Sequence, residues 1–329
     1  MKDKMISYSS RLSPILMGYV EEQRAVGYKY EKAASVLRQL DRLLIEENET
    51  GEILSRETVL QWTRKKKGER ERNRNGRISL VRGLARYMIR IGREAYLFPE
   101  KAVQVDRYYY TPYIFSEKEL ADIFRSADKV RPSSASPNRH LILPLLFRVL
   151  YGCGLRVSES LNLKISDVNL EDGTLFVRQA KFGKERLVPM SGTLIERCRE
   201  YSWRMQSVTS NNPYYFPSPF GGRYSTYCIY DYFRRFLWEA GISHGGRGHG
   251  PRVHDLRHTF SVHCLKKWVR NRNDLTSRLP YLSAYLGHVD LRASQHYLRL
   301  TADLYPAIVS AVESIFSTLI PEMNSHETN

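Results

Sequence analysis

The sequence predicts a mainly α protein in two domains: an all-helical first domain, and a second in which helices accompany a small antiparallel β-sheet. Three observations carry this reading. Apolar residues recur at helical spacing through the first ~105 residues with no strand signal between them. Periodicity lapses over Asp106–Pro112, where Pro112 disfavours helix just before it. Two β-rich runs, set off by turn signals, interrupt the helices between Asp172 and Pro189. A chain of 329 residues is about two domains long.

The first helix is expected over Leu12–Val26, with Leu12, Ile15, Leu16, Tyr19 and Val20 on one face and Gly27 as the stop. The second runs over Ala33–Ile45 on Val36, Leu37, Leu40, Leu43 and Leu44. Ser55 caps a third through Val59, Leu60 and Trp62, and a fourth covers Ile78–Ile91. These form a helical bundle over residues 1–104, and 105–114 form a linker. Ser116-Glu117-Lys118-Glu119 is a capping box that opens the second domain, placed at 115–321, with 322–329 as a loose tail.

In that domain, His140–Tyr151 is apolar throughout and reads as a buried helix, followed by a short helix over Arg156–Leu163. Asp172-Gly173 turns the chain into a strand over Thr174–Ala180, and Lys181–Lys184 turns it back into a second strand over Arg186–Pro189. Helices are expected over Leu194–Met205, Tyr227–Ala240, His254–Trp268, Tyr281–Leu286 and Tyr305–Ile320.

Composition narrows the function. Lys and Arg number 51 against 35 Asp and Glu, a net charge of +16, which favours a polyanionic partner, nucleic acid before membrane. Between Gln61 and Arg93 twelve Lys or Arg face two Glu. Arg64, Lys65, Lys66 and Lys67 form a run, Arg74 and Arg77 follow, and Arg82, Arg86 and Arg90 recur every four residues on one helix face. The functional reading is a phosphate-tracking DNA surface; the plain one is a solvated basic face. No apolar run approaches the ~18 residues of a membrane span, and Met1–Lys4 leads into polar residues, so a cytoplasmic, nucleoid-associated protein is expected. The four cysteines form no CxxC, and no P-loop, GxGxxG, calcium loop or HExxH is present. His254 and His258 stand at i,i+4, but no Cys or carboxylate joins them at ligand spacing, so neither metal nor cofactor is expected.

Five short motifs remain. Gly152-Cys153-Gly154 breaks a helix and places Arg156 at the start of the next, with Glu159 behind it. Lys181 lies in the hairpin turn, with Lys184 as a rival in the same turn. His254 and Arg257 share a helix face at i,i+3. Gly287-His288 follows, and Tyr297 lies nine residues beyond His288. Each is weak alone. In this order and phrasing they closely resemble the tyrosine recombinase (phage integrase) family, most strongly over residues 151–300.

That resemblance implies a core-binding helical domain and a catalytic domain that clamp duplex DNA. It implies a site-specific recombinase that cuts and rejoins DNA through a 3′-phosphotyrosine. Tyr297 would be the nucleophile, and Arg156 and Arg257 would clamp the non-bridging oxygens. Lys181 would protonate the leaving 5′-oxygen, His254 would assist the tyrosine's proton, and His288 would donate to a phosphate oxygen. Glu159 matches an orienting acidic position, and a structural ion pair is the equal alternative. The implied partners are specific recombination sites in double-stranded DNA, a homotetramer assembled on them, and accessory or sister recombinases. The implied role is integration, excision or transposition of a mobile element. A type IB topoisomerase and a catalytically silent DNA-binding protein are the alternatives. The 31 residues from Arg257 to His288 exceed the usual family interval, with Trp268–Leu279 as the apparent insertion.

Overall fold

The computed structural model describes residues 7–28, 30–46, 51–100, 111–178, 185–206, 212–246, 250–271, 275–288 and Tyr297. The chain divides into two compact units, Met1–Tyr110 and Thr111–Asn329.

The first unit holds α1 (Ser13–Ala25), α2 (Glu31–Glu46), α3 (Arg56–Thr63) and α4 (Glu71–Arg90). Their apolar stripes meet in one core that includes Leu12, Leu16, Leu37, Leu40, Val59, Trp62, Val81 and Leu84. Ser55 caps α3 by accepting from the Thr58 amide at 3.1 Å. The buried Asp41 carboxylate accepts from the Ser9 and Ser10 amides, both at 2.9 Å, which ties the segment before α1 to α2. The rings of Tyr19 on α1 and Tyr87 on α4 pack 5.5 Å apart.

The fourth helix begins at Glu71, seven residues before the sequence reading placed it. Its first two turns, Glu71–Ile78, carry no apolar residue before Ile78, so periodicity gives no sign of them. Local ion pairs accompany this stretch instead, with Lys65 at 2.6 Å and Arg74 at 3.6 Å from Glu71.

The second unit contains α5 (Glu117–Asp128), α6 (Arg139–Gly152), α7 (Val157–Asn162), a 3-10 turn (Ile165–Asp167), β1 (Val168–Asn169), β2 (Thr174–Val177), β3 (Arg186–Pro189), α8 (Gly192–Met205), α9 (Thr226–Glu239), α10 (Asp255–Arg270) and α11 (Leu275–Leu286). The sheet is antiparallel in the order β1-β2-β3. Leu175 pairs with Val188 and Val177 with Arg186. The two-residue β1 is too short for an alternation to show, and the sequence reading missed it. Leu175, Val177 and Val188 turn inward to a core built around α6, where Phe147 stacks on Phe233 and meets Phe236 edge-on.

The capping box on α5 is formed: Ser116 Oγ accepts from the Glu119 amide at 3.2 Å, and Glu119 accepts from the Ser116 amide at 2.8 Å. Ser116→Ala is expected to cost about 1 kcal/mol of stability, read as a lower urea midpoint at constant slope. The helix α11 begins six residues before the sequence reading and carries Pro280 inside it. Pro280 made the sequence look broken, but it falls within the second turn, where only one ladder hydrogen bond is lost. The apparent insertion is therefore helical over most of its length, shared between the end of α10 and the start of α11, and the Arg278 guanidinium lies 5.9 Å from the Trp268 ring. The predicted helix over Tyr305–Ile320 lies outside the described residues. No helix among those described is long and apolar enough to cross a membrane.

Candidate active site

The site is assembled where the α6–α7 turn, the start of β3, the start of α10 and the end of α11 meet. The helix α6 ends at Gly152, and Gly154 then adopts φ +57°, with Phe260 packed where a β-carbon would stand. Only glycine combines that dihedral with that closeness. The turn delivers Arg156 to the N-cap of α7, and Glu159, one turn on, folds back to accept from the Arg156 amide at 3.0 Å.

Glu159 is the hub. Its side chain is 4% exposed and accepts from Arg156 Nη1 at 2.5 Å and from Arg186 Nη2 at 2.9 Å, and Arg257 Nη1 lies 3.9 Å away. Burial alone would raise its pKa, but the Arg186 hydrogen bonds, the Arg156 amide and the charges of both guanidinium groups reverse this and hold it down at about 2. Glu159 is thus an anchored carboxylate, and the arginines around it are fixed by it.

Arg257 is 1% exposed on α10. It donates to the Gly154 carbonyl at 2.8 Å and to the Leu286 carbonyl at 2.6 Å, so it bridges the α6–α7 turn and the end of α11. Burial first, then Arg156, draws its pKa down to about 10, which leaves it a cation at neutral pH. Three guanidinium groups around one carboxylate leave a surplus of two positive charges, which suits an anion whose charge grows during reaction.

His254 occupies the N-cap of α10, and His288 follows Gly287, whose φ of +66° turns the chain out of α11. Burial, then Arg257 and Arg156, pushes both imidazoles down to about 4, so both are neutral at pH 7. Tyr297 is buried with Val262, Leu265, Leu282 and Leu286. Its ring stacks on His288 with centroids 6.0 Å apart and lies 5.5 Å from His258, which in turn stands edge-on to His254 at 4.8 Å.

The depressed histidines make a pH prediction. The unfolded chain takes up their protons below about 6.5, the folded chain only near 4, so the unfolded state binds more protons across that window. Stability contributed by these histidines is therefore lost as pH falls from 6.5 towards 4. The double variant His254→Gln, His288→Gln should show a shallower acid loss than wild type when urea midpoints are compared between those pH values.

The structure brings together Arg156, Glu159, His254, Arg257, His288 and Tyr297. Lys181 and its rival Lys184 lie outside the described residues. Two residues join the cluster that sequence reasoning did not assign. His258 has a metal-ligand reading and a polar, phosphate-facing one but no named role, although its i,i+4 spacing from His254 puts both on one face. Arg186 enters the sequence reading only as the start of a strand, although strand alternation places it on the same side as the buried Val188, where a charge needs a partner. Among the described residues no cluster of three His, Cys, Asp or Glu could hold a metal ion.

The basic surface of the first unit needs one correction. Arg77 is buried, with side-chain exposure of 7%. It donates to Glu69 at 2.9 Å and to the Arg64 carbonyl at 3.0 Å, bonds the Trp62 carbonyl as well, and so braces the α3–α4 corner rather than reaching solvent. Charge counting along a helix cannot see that a neighbouring loop folds over one of its members. Arg82 is also largely covered, with Glu100 at 3.6 Å, and Arg74 donates to the Thr63 carbonyl at 2.8 Å. Arg64, Lys65, Lys66 and Lys67 are exposed on the loop after α3, and Arg86 and Arg90 on α4, where Arg90 pairs with Glu22.

A buried carboxylate thus clamps guanidinium groups beside neutral histidines and a tyrosine, an arrangement with surplus positive charge that suits a phosphate oxyanion. The sequence pattern of the phage integrase family matches residues 114–303, more than half of the chain, and the chain belongs to that family. It is 29% identical over 308 residues to a putative integrase/recombinase, y4rB, of Sinorhizobium fredii, which covers 90% of this chain and 95% of that protein. It is 32% identical over 191 residues to the tyrosine recombinase XerA of Pyrococcus horikoshii, covering 58% of each. Among solved structures its fold is similar to the XerH site-specific recombinase bound to palindromic difH substrate in a post-cleavage complex, with a TM-score of 0.64 and 20% identity over 91% of this chain and 84% of that one. It is also similar to the Tn1549 transposon integrase in complex with transposon right end DNA, with a TM-score of 0.60 and 14% identity over 86% of this chain and 94% of that one. The function follows from the family: this is a tyrosine recombinase/integrase, an enzyme of DNA cleavage and rejoining.

Proposed function

We propose that the chain recombines duplex DNA at specific sites, with Tyr297 as nucleophile, in the integration, excision or transposition of a mobile element. The observation that carries this reading is the packing of Tyr297 against His288 and His258 beside the Arg156–Glu159–Arg257 cluster.

In the proposed step the Tyr297 hydroxyl oxygen bonds to phosphorus as the bond from phosphorus to the 5′-oxygen breaks. The phenolic proton leaves towards His254, whose neutral ring can accept it. Arg156 and Arg257 hold the non-bridging oxygens, each such donor being worth about 10²–10³ in rate. His288 donates to one of these oxygens, and Lys181 gives a proton to the departing 5′-oxygen. The product is a 3′-phosphotyrosine and a free 5′-hydroxyl. The ester energy stays in the phosphotyrosine, so a 5′-hydroxyl can reverse the step without ATP or a metal ion. The exposed cations Arg64–Lys67, Arg86 and Arg90 would track backbone phosphates, and each neutralised phosphate steepens the salt dependence by about 0.9 in log–log slope. A homotetramer on two DNA sites, with accessory or sister recombinases, completes the reading.

The test is covalent trapping on nicked suicide duplexes drawn from DNA flanking the gene, run on a denaturing gel in EDTA. A shifted band from wild type supports the proposal. Strand cleavage without a shifted band, abolished by EDTA, would point to a metal-dependent nuclease. Footprinting with no band would point to a DNA-binding protein, and relaxation of supercoiled plasmid lacking any site to a topoisomerase.

A further inference from the structure

Arg186 lies outside the set of groups assigned to the reaction, yet it touches both Glu159 and the end of α11. It stands at the start of β3, 10% exposed along its side chain. Its Nη2 and Nη1 reach the two Glu159 oxygens at 2.9 and 3.3 Å, a bidentate grip. Its Nε donates to the Tyr285 carbonyl at 2.8 Å. The guanidinium lies against Gly287, where an added β-carbon would come within 2.9 Å of Nη1. The adjacent carbonyl, Leu286, is taken by Arg257. Two arginines thus cap the last carbonyls of α11, and both face Glu159. The strand is held to the same helix a second time, since the Tyr285 hydroxyl donates to the Pro189 carbonyl at 3.0 Å.

This arrangement fixes the exit of α11. His288 follows directly on Gly287, so its place relative to Arg156 and Arg257 is set by where those two carbonyls are held. We propose that Arg186 is a positioning residue for strand cleavage: it locks Glu159 to the end of α11 and so holds His288 and Arg156 in one constellation without itself meeting the phosphate. The inference rests on the functional reading above. A lysine at this place keeps the positive charge but cannot reach the carbonyl and both carboxylate oxygens at once.

The experiment measures single-turnover cleavage of a suicide duplex at saturating DNA from pH 5 to 9, beside DNA affinity and thermal stability, for wild type, Arg186→Gln, Arg186→Lys and Tyr297→Phe. Arg186→Gln should keep its affinity for DNA within about twofold and cleave about 10- to 100-fold more slowly, the penalty of misplaced groups. Its acid limb should also move to higher pH, because a positive charge beside His288 is gone. Arg186→Lys should keep the wild-type acid limb and still cleave slowly. A merely structural role would lower thermal stability while the folded Arg186→Gln and Arg186→Lys proteins cleave at the wild-type rate, and that result overturns the proposal. If Arg186→Gln does not fold, Arg186→Lys decides: slow cleavage at unchanged DNA affinity supports the role, and wild-type cleavage overturns it. Failure of the underlying reading shows separately, as no adduct from wild type or an adduct from Tyr297→Phe.

Discussion

Replacing Arg257 by lysine will cost both the fold and the reaction, and by more than any other change at the site that keeps the charge. The guanidinium is buried and spans from the Gly154 carbonyl to the Leu286 carbonyl, with Glu159 at 3.9 Å. An ammonium on a four-carbon stem can satisfy one of those carbonyls but not both. The other is left buried without its donor, a loss of about 1–3 kcal/mol. Severing the link between the α6–α7 turn and the end of α11 adds to this. Urea unfolding monitored on the second unit should show the midpoint fall with the slope unchanged. Strand cleavage should fall by about 10²–10³ under conditions where the variant is fully folded. A variant with wild-type stability would show that the two carbonyl bonds contribute nothing.

The second large effect is chemical and nearly free of structural cost. Tyr297→Phe removes one hydroxyl from a ring otherwise held by Val262, Leu265, Leu282 and Leu286 and by ring contacts with His258 and His288. Stability should change by no more than about 1 kcal/mol, the net worth of a typical hydrogen bond. The covalent adduct should vanish, because no other atom of that side chain can attack phosphorus. DNA binding should persist, since phosphate contacts come from the cationic side chains. Parallel denaturing-gel and footprinting assays separate the two.

Much of this was legible in the sequence, and the reasons differ by element. Helices α1, α2 and α3 announce themselves by apolar stripes and the Ser55 cap, and α5 by its capping box, since both signals are local. The order of candidate site residues from Arg156 to Tyr297 was readable through its resemblance to a family pattern, since each motif is weak alone. What sequence could not show is tertiary. The early start of α4 carries charge pairs such as Lys65–Glu71 and no apolar period. Arg77 looks like one more surface cation until Glu69 and the Trp62 carbonyl are seen around it. Arg186 and Glu159 are 27 residues apart, and only the tertiary fold reveals that they meet. Arg257 illustrates the same limit: its residue type was evident from HxxR spacing, but its hold on the end of α11 was not.

The central claim is that one tyrosine of the 22 in the chain takes the DNA strand. The most direct measurement is proteolysis of the trapped protein–DNA adduct followed by mass spectrometric mapping of the nucleotide-linked peptide. A single modified peptide is expected, with the phosphodiester on Tyr297 joined to the 3′ end of the cleaved strand. Attachment at another residue, or through the 5′ end, would contradict it.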